Sequence, residues 1–537
     1  MIYFTNMKKI IDFLDSLDFS PTTMALTIFG LATIRLFLEN FSSPEAGGLF
    51  APVVGIISYA SLYGMLLILF TITLSLLTKK NTLWSARVMT FLFPIVILTP
   101  IIDLIASRGV GHCIGYVQPG GQNMFQLFIN FLLPHAQQCG ITPGLRIQII
   151  AGSLGLGLIV WLFSKSWIKS LLGIMLAYTI SFIGGALPII VNLITRSDSS
   201  HTFYSDALSS LLATIHYPSS SLFFTIIPSV ITTTLLARIQ FLLAIIGFGF
   251  IWYLGSRTTW RAWWLGSWKK IPIAGIHFVL LVFGFSLGFA VGKPMLIWPD
   301  IVGIATVLVS LFFACWSVAV PNDINDIEID RISNPERPLI KYKMEVGTIR
   351  TIQYISGIFS IGLAILVNYN VAYCIGVFII LYMIHSSGIR LKRFWFTSSI
   401  LITLSSITAF LTGYFTLSTD QIASHIPLSI ILVLILMIIP YTLIKDIPDI
   451  AGDSSQNIQT FAALYGKNKT LVLVLAIILT WLILFISIIP WFFALGVIIP
   501  IIFFTIKPKL IDQKIWLLGL PVGIWFFGVL IHILIIK

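Results

Sequence analysis

The chain has 537 residues, 58% hydrophobic and only 10% charged, with a mean hydropathy of +1.00 and a net charge of +12. Soluble domains carry roughly a quarter charged residues, so a soluble globular protein is excluded. Continuous apolar blocks near the ~20 residues needed to span a bilayer also exclude a β-barrel, which needs short alternating segments. The basic residues are scattered through short loops and form no dense patch, which fits cytoplasmic loops facing anionic lipid and not a nucleic-acid partner. The fold class expected is an all-α polytopic membrane protein.

From the N-terminus, the stretch MIYFTNMKKIIDFLDSLDF lacks the pattern of a cleaved signal peptide and is expected to stay cytoplasmic. Six apolar segments follow, near 20–38, 50–77, 86–106, 145–163, 168–194 and 236–255. They make residues 1–255 a separate helical membrane domain of unknown role. Arg35 interrupts the first segment, and residues 221–235 read as a re-entrant or interfacial piece. The polar loop 107–144 falls on the outer side, where Cys113 and Cys139 can pair in an oxidising compartment. Cys315 and Cys374 lie in apolar runs and read as core residues. Glu39 and Asp103 lie in or beside apolar segments, where ionisable groups invite a functional hypothesis and snorkelling at segment ends explains them equally well; no site is assigned to them.

Residues 256–271 form an interfacial linker, with Trp260, Trp263, Trp264 and Trp268 among Arg257, Arg261, Lys269 and Lys270. Residues 272–537 then divide into nine apolar segments, near 272–292, 297–320, 349–367, 370–388, 396–417, 424–444, 469–488, 490–506 and 515–536. Alternating sides from Lys269 places sixteen Lys and Arg on one face and only Lys293 and Lys537 on the other. A missed segment would reverse every later loop, so the split supports the count and makes the basic face cytoplasmic.

Two acidic clusters lie on that face. Asp323, Asp326 and Asp330 are spaced i, i+3, i+7, and Asp446, Asp449 and Asp453 repeat the spacing. On a helix this spacing stacks side chains on one face. Carboxylates at a membrane boundary are costly unless a cation lies between them. Hard carboxylate oxygens suit Mg²⁺, which commonly binds through a few carboxylates plus phosphate oxygens, while Arg and Lys grip phosphate. Facing rows with interleaved basic residues therefore suggest a Mg²⁺–diphosphate site above an apolar bundle able to hold a lipid tail. Each row alone reads more readily as a solvated loop than as a metal site. His385, His425 and His532 sit singly near segment ends and read as interfacial or core residues.

The run Asn322-Asp323-x-x-Asp326-x-x-x-Asp330 with Pro335-x-Arg337-Pro338 resembles the first signature of the UbiA family of intramembrane prenyltransferases. Lys445-Asp446-x-x-Asp449-x-x-x-Asp453 resembles the second, and Arg390-Leu391-Lys392-Arg393 the basic stretch between them. The resemblance covers about 270–537 and implies a nine-helix UbiA-like bundle. It implies that Asn322, Asp323 and Asp326, with Asp330 finishing the row, and Asp446 and Asp449, helped by Asp453, hold Mg²⁺ against an isoprenyl diphosphate. Asp323, Asp326, Asp446 and Asp449 would be catalytic. Arg337, Arg390, Lys392, Arg393 and Lys445 would serve the diphosphate.

The resemblance further implies a multi-pass protein of the lipid bilayer (the inner membrane in a prokaryote) with a cytoplasmic active site. Its acceptor would be hydrophobic or aromatic: a quinone or tocopherol precursor, a tetrapyrrole, a glycerol phosphate lipid, or a polyprenyl phosphate receiving phosphoribose. Lys445-Asp446-Ile447-Pro448-Asp449 is similar to homogentisate-type members, whereas the Asn322-Asp323 motif is similar to chlorophyll- and archaeal-lipid-type members. Ile340-Lys341-Tyr342 stands where the family often has Pro-Ser-Gly. The rival expectation is a non-catalytic transport or assembly protein whose acidic clusters bind a divalent ion and a lipid headgroup.

Overall fold

The structure is a computed structural model that describes residues 21–42, 51–106, 124–131, 142–195, 238–247, 249, 271–292, 298–333, 338–343, 346–387, 391–418, 422–444, 446–456 and 458–485. Among them every extended element is a helix. The chain divides into two compact units, Met1–Arg257 and Thr258–Lys537. Seven helical stretches among the described residues are long and apolar enough to cross a membrane, and four shorter apolar helices accompany them. The predicted segments 490–506 and 515–536, the stretch 221–235, the linker up to residue 270, and most of the loop 107–144 with both its cysteines lie outside the described residues.

The first unit holds α1 (Pro21–Ser42), α2 (Ala51–Thr78), α3 (Thr82–Leu92), α4 (Leu98–Ala106), α5 (Met124–Asn130), α6 (Pro143–Ser164) and α7 (Trp167–Thr195). Short turns join α2 to α3 and α6 to α7, and the Asn81 side chain caps α3 by accepting from the Leu83 N–H. Leu67, Leu74, Ala86, Val88 and Val160 form the centre of one core.

The predicted segment 86–106 crosses as one stretch, Thr82–Ala106, but not as one α-helix. A 3₁₀ turn, Phe93–Ile97, separates α3 from α4. Proline explains the break. Pro94 opens the turn, and Pro100 has no N–H to give the Val96 carbonyl four residues back. The buried Arg35 guanidinium from α1 supplies the missing donor, with Nη1 2.9 Å from that carbonyl oxygen. A cation in an apolar helix thus satisfies a backbone group for which lipid offers no partner.

The second unit contains α8 (Ile271–Gly292), α9 (Trp298–Asn325), α10 (Ile327–Ser333), α11 (Pro338–Lys341), α12 (Val346–Ile365), α13 (Tyr369–Ser386), α14 (Trp395–Leu417), α15 (Leu428–Ile444), α16 (Ile450–Ser455) and α17 (Phe461–Phe485). Helices α8 and α14 meet backbone to backbone. A Cβ on Gly284 would stand 2.0 Å from the Phe410 carbonyl oxygen, and one on Gly413 2.0 Å from that of Leu281. Small residues permit this approach, which drives packing where lipid provides no hydrophobic force between helices. Leu280, Leu281, Phe283, Phe410 and Tyr414 pack around the crossing with Phe378 of α13.

Polar groups in this bundle are paired locally. Ser310 of α9 and Ser360 of α12 exchange bonds, each hydroxyl donating to the other's carbonyl at 2.7 and 2.8 Å. Asn368 accepts from the Val371 N–H to cap α13 and donates to the Phe415 carbonyl of α14. Near its start α17 is interrupted at Gly466, whose φ of 79° favours glycine, so the turn 461–465 is set off from the apolar remainder of the helix.

The crossing makes a direct expectation. Gly413→Val should destabilise the full-length protein by about 1–3 kcal/mol or prevent folding through overpacking. Gly376→Ala, where nothing among the described residues lies within 4 Å of the added carbon, should be neutral or mildly stabilising. Melting temperature and monodisperse yield in detergent measure both, and equal behaviour of the two variants would contradict the close crossing.

Candidate functional site

Both acidic clusters sit where helices end. Helix α9 carries Pro321, which cannot bond back to the Ser317 carbonyl, followed by Asn322 and Asp323 in its last turn. Asp326 occupies a turn between α9 and α10, and Asp330 lies in α10. Helical bonding nevertheless continues through the turn, Asp326 N–H to Asn322 carbonyl at 2.9 Å and Asp330 N–H to Asp326 carbonyl at 2.8 Å. Asn322, Asp326 and Asp330 therefore follow one flank, a turn apart. Asp326 and Asp330 are buried, 8% and 3% exposed, while Asn322 and Asp323 are half-buried.

The second cluster departs from the single helical row expected from its spacing. Asp446 precedes a 3₁₀ turn, Ile447–Asp449, which contains Pro448, and α16 begins only after it. A proline that locks φ and lacks an N–H favours this tight turn over an uninterrupted α-helix. Asp446 and Asp449 are half-buried, and Asp453 is buried with its Oδ2 accepting from the Thr460 hydroxyl at 3.1 Å. Helix α10 packs against both α16 and the 3₁₀ turn, so the two acidic segments lie side by side.

Lys392 joins the first cluster to the basic stretch. It lies in a 3₁₀ turn, Leu391–Arg393, between α13 and α14, and is buried, whereas Arg393 is exposed. Its Nζ donates to Asn322 Oδ1 at 3.2 Å and forms an ion pair with Asp326 Oδ1. The turn is clamped to the chain beyond the second cluster, because Gln459 N–H donates to the Arg393 carbonyl at 2.8 Å and Trp395 N–H to the Gln459 carbonyl at 3.0 Å. The Asn325 side-chain amide donates to the Ser386 carbonyl at 2.9 Å. Below it, His385 is buried with both ring nitrogens 3.0 Å from hydroxyls, those of Ser386 and Ser398.

Thus Asn322, Asp326 and Lys392 are in direct contact, and the segments bearing Asp330, Asp446, Asp449 and Asp453 adjoin them. Arg337, Arg390 and Lys445 lie outside the described residues. Sequence reasoning missed the Gln459 clamp and the Asn325 bond to Ser386. The first is a backbone contact between residues 66 positions apart and leaves no local pattern; the second had a weak signal, an amide three residues after Asn322.

No group of three or more His, Cys, Asp or Glu among the described residues is arranged to hold a metal ion unaided. The donor chemistry still suits Mg²⁺, which takes hard oxygen ligands and is usually bound by one or two carboxylates together with substrate phosphates. The clusters fit an ion completed by a phosphorylated ligand better than a closed protein cage.

The model of the UbiA prenyltransferase family matches residues 279–514, and no family matches the N-terminal half. The digeranylgeranylglyceryl phosphate synthase of Sulfurisphaera tokodaii is 28% identical over 214 residues, 40% of this chain and 74% of that protein. The enzyme of the same name from Saccharolobus solfataricus is 28% identical over 42% of this chain and 79% of its own length. A solved chain described as concerning the same synthase in membranes superimposes with a TM-score of 0.36 at 18% identity, covering 52% of this chain and 99% of that one, too loosely for a statement about fold.

The Lys392–Asp326 contact can be tested apart from activity. Lys392→Met should destabilise the protein by about 3 kcal/mol or more, because it strands a buried carboxylate. Asp326→Asn in the same chain should recover part of that loss. A double-variant cycle on melting temperature measures the coupling, and strictly additive losses would contradict the pair.

Proposed function

Residues 279–514 form a UbiA prenyltransferase domain, and from that premise we propose that the chain moves a prenyl group from an isoprenyl diphosphate to a glyceryl phosphate lipid within the membrane, releasing diphosphate. The supporting observation is the packing of the two acidic segments side by side at helix ends, with Lys392 reaching Asn322 and Asp326. The relatives' names favour a glyceryl phosphate acceptor. The Lys445-to-Asp449 sequence favours an aromatic one, which is the second reading.

On this reading Asn322, Asp323, Asp326, Asp446 and Asp449, with help from Asp453, would hold Mg²⁺, which supplies charge neutralisation for the leaving diphosphate. Lys392 presents its ammonium to diphosphate oxygens held between the acidic segments, and Arg393 offers a second cation at the exposed edge. The Thr460 hydroxyl orients Asp453. The Gln459 clamp fixes the basic turn over the first cluster, so these charges are in place before negative charge develops on the leaving group. The allylic C–O bond breaks, and its electron pair leaves with diphosphate. An acceptor hydroxyl oxygen forms the new C–O bond to the prenyl carbon and loses its proton. The apolar bundle below holds the chain and excludes water from the cationic prenyl group.

Purified full-length protein in nanodiscs should incorporate labelled geranylgeranyl diphosphate into a geranylgeranylglyceryl phosphate acceptor, and EDTA should stop it. Asp323→Ala and Asp446→Ala should each lower turnover by about 100-fold or more, whereas Lys293→Ala should leave it unchanged. Transfer to homogentisate instead would select the second reading. Diphosphate binding without turnover on any acceptor would support the transport or assembly role.

A further inference from the structure

The first turn of α14 ties several parts of the site together. The Trp395 N–H bonds to Gln459, beyond the second acidic cluster. The Ser399 hydroxyl accepts at 2.9 Å from that of Thr442 on α15, four residues before Asp446. The Thr397 hydroxyl fastens the basic turn itself, lying 2.6 Å from the Leu391 carbonyl oxygen and 3.1 Å from that of Phe394. Ser398 meets a buried imidazole, His385, that neither the acidic motifs nor the basic stretch contains.

His385 is the penultimate residue of α13. Its Nδ1 is 3.0 Å from Ser386 Oγ and its Nε2 3.0 Å from Ser398 Oγ, and all three residues are buried. A neutral imidazole donates through one nitrogen and accepts through the other, and a serine hydroxyl can do either, so both contacts are satisfied without charge. The Ser386 carbonyl in turn accepts from the Asn325 amide, next to Asp326. A path of bonds therefore runs from the first acidic cluster through Asn325, Ser386 and His385 to α14. Lys392, anchored on Asp326, closes that path into a ring.

Two features of the ring give the imidazole a task beyond filling a core. Nδ1 bonds to the neighbouring residue of its own helix, whereas Nε2 spans the gap between α13 and α14, the helices on either side of the basic turn. The Lys392–Asp326 pair, moreover, has to loosen when diphosphate oxygens take up the ammonium. The spacing of the turn then rests on bonds that take no part in ligand binding, the Gln459 clamp and the His385 bridge. Such spacing matters, because a shift of about 1 Å in a working group can cost about 100-fold in rate.

We propose that His385 is a positioning residue for prenyl transfer: its Nε2 bridge to Ser398 keeps Lys392 at working distance from the first acidic cluster while the ammonium is engaged with diphosphate. The inference rests on the prenyl-transfer reading and adds to it a residue outside the charged motifs.

Turnover and melting temperature are measured on full-length protein in nanodiscs, with labelled geranylgeranyl diphosphate and whichever acceptor the wild type uses. The amide of Gln ends about where Nε2 stood, and that of Asn about where Nδ1 stood. His385→Gln should therefore keep most of the turnover, whereas His385→Asn should lower kcat about 10-fold with little change in KM for the diphosphate. Ser398→Ala removes the far end of the bridge and leaves the imidazole in place. It should match His385→Asn, and the double variant should lose no more than either alone. Ser310→Ala, which takes a buried bond from elsewhere in the bundle, should lower the melting temperature and leave kcat unchanged. A readout independent of activity is the melting loss of His385→Asn combined with Lys392→Met, which should be less than additive because both open the same ring. Equal kcat in the Asn and Gln variants, a melting loss in His385→Asn with unchanged kcat, or additive melting losses would overturn the inference while leaving prenyl transfer standing. Absence of turnover in the wild type is a different result, which overturns the prenyl-transfer reading and this inference with it.

Discussion

The chemistry proposed for this protein depends on keeping carboxylates buried where membrane helices end. Asp326, in the turn that follows the apolar helix α9, and Asp330, on the short helix α10, are nearly inaccessible. Such a group survives there only beside compensating positive charge. Lys392 provides that charge for Asp326 and also holds Asn322, so a single ammonium fixes two members of the first cluster. The lysine is itself placed by the backbone clamp between Arg393, Trp395 and Gln459, which belongs to the chain just after the second cluster. The acidic and basic parts of the site are therefore mutually positioned through a short set of bonds.

The bundle below must supply this end with rigid supports without help from water. It does so by close approach and local pairing. Glycines 284 and 413 let α8 and α14 touch along their backbones. The hydroxyls of Thr403, Ser405, Thr412 and Thr416 fold back onto carbonyls of their own helix α14. The basic turn that carries Lys392 begins where α13 has ended and leads directly into α14, so the rigidity of that pair reaches the site. A helix end held in this way can present charge to a leaving group without reorganising as charge develops.

Much of the fold was legible as apolar run length. The expected segment 272–292 is α8, Ile271–Gly292, and 396–417 is α14, Trp395–Leu417, because in lipid a continuous apolar stretch has no alternative to the helix. The two acidic triples were legible as a pair, but their shared spacing suggested a shared geometry that they lack. The first stays on a helical path through a turn; the second is bent by Pro448. The basic stretch was legible only as a charge run. Periodicity gives no means of telling that Lys392 turns inward while Arg393 stays exposed, since that choice is made by Asp326 and Asn322, 66 and 70 residues away.

Asp103 shows the same limit most clearly. Its place near a segment end made snorkelling to the interface and burial at a site equally good readings. What separates them is the partner helix. Pro100 breaks the regular bonding of the span just before Asp103, Gly144 removes the side chain that would keep α6 away, and the carboxylate meets the first turn of α6 instead of water. None of these residues is informative alone. Arg35 is the matching case, a cation that looked like an interruption in α1 and instead completes the bonding of a broken neighbour. The contacts of Arg35 and Asp103 both trace to one prolyl-broken span. Among the described residues of the N-terminal unit, that span is where a proline break and two charged side chains meet.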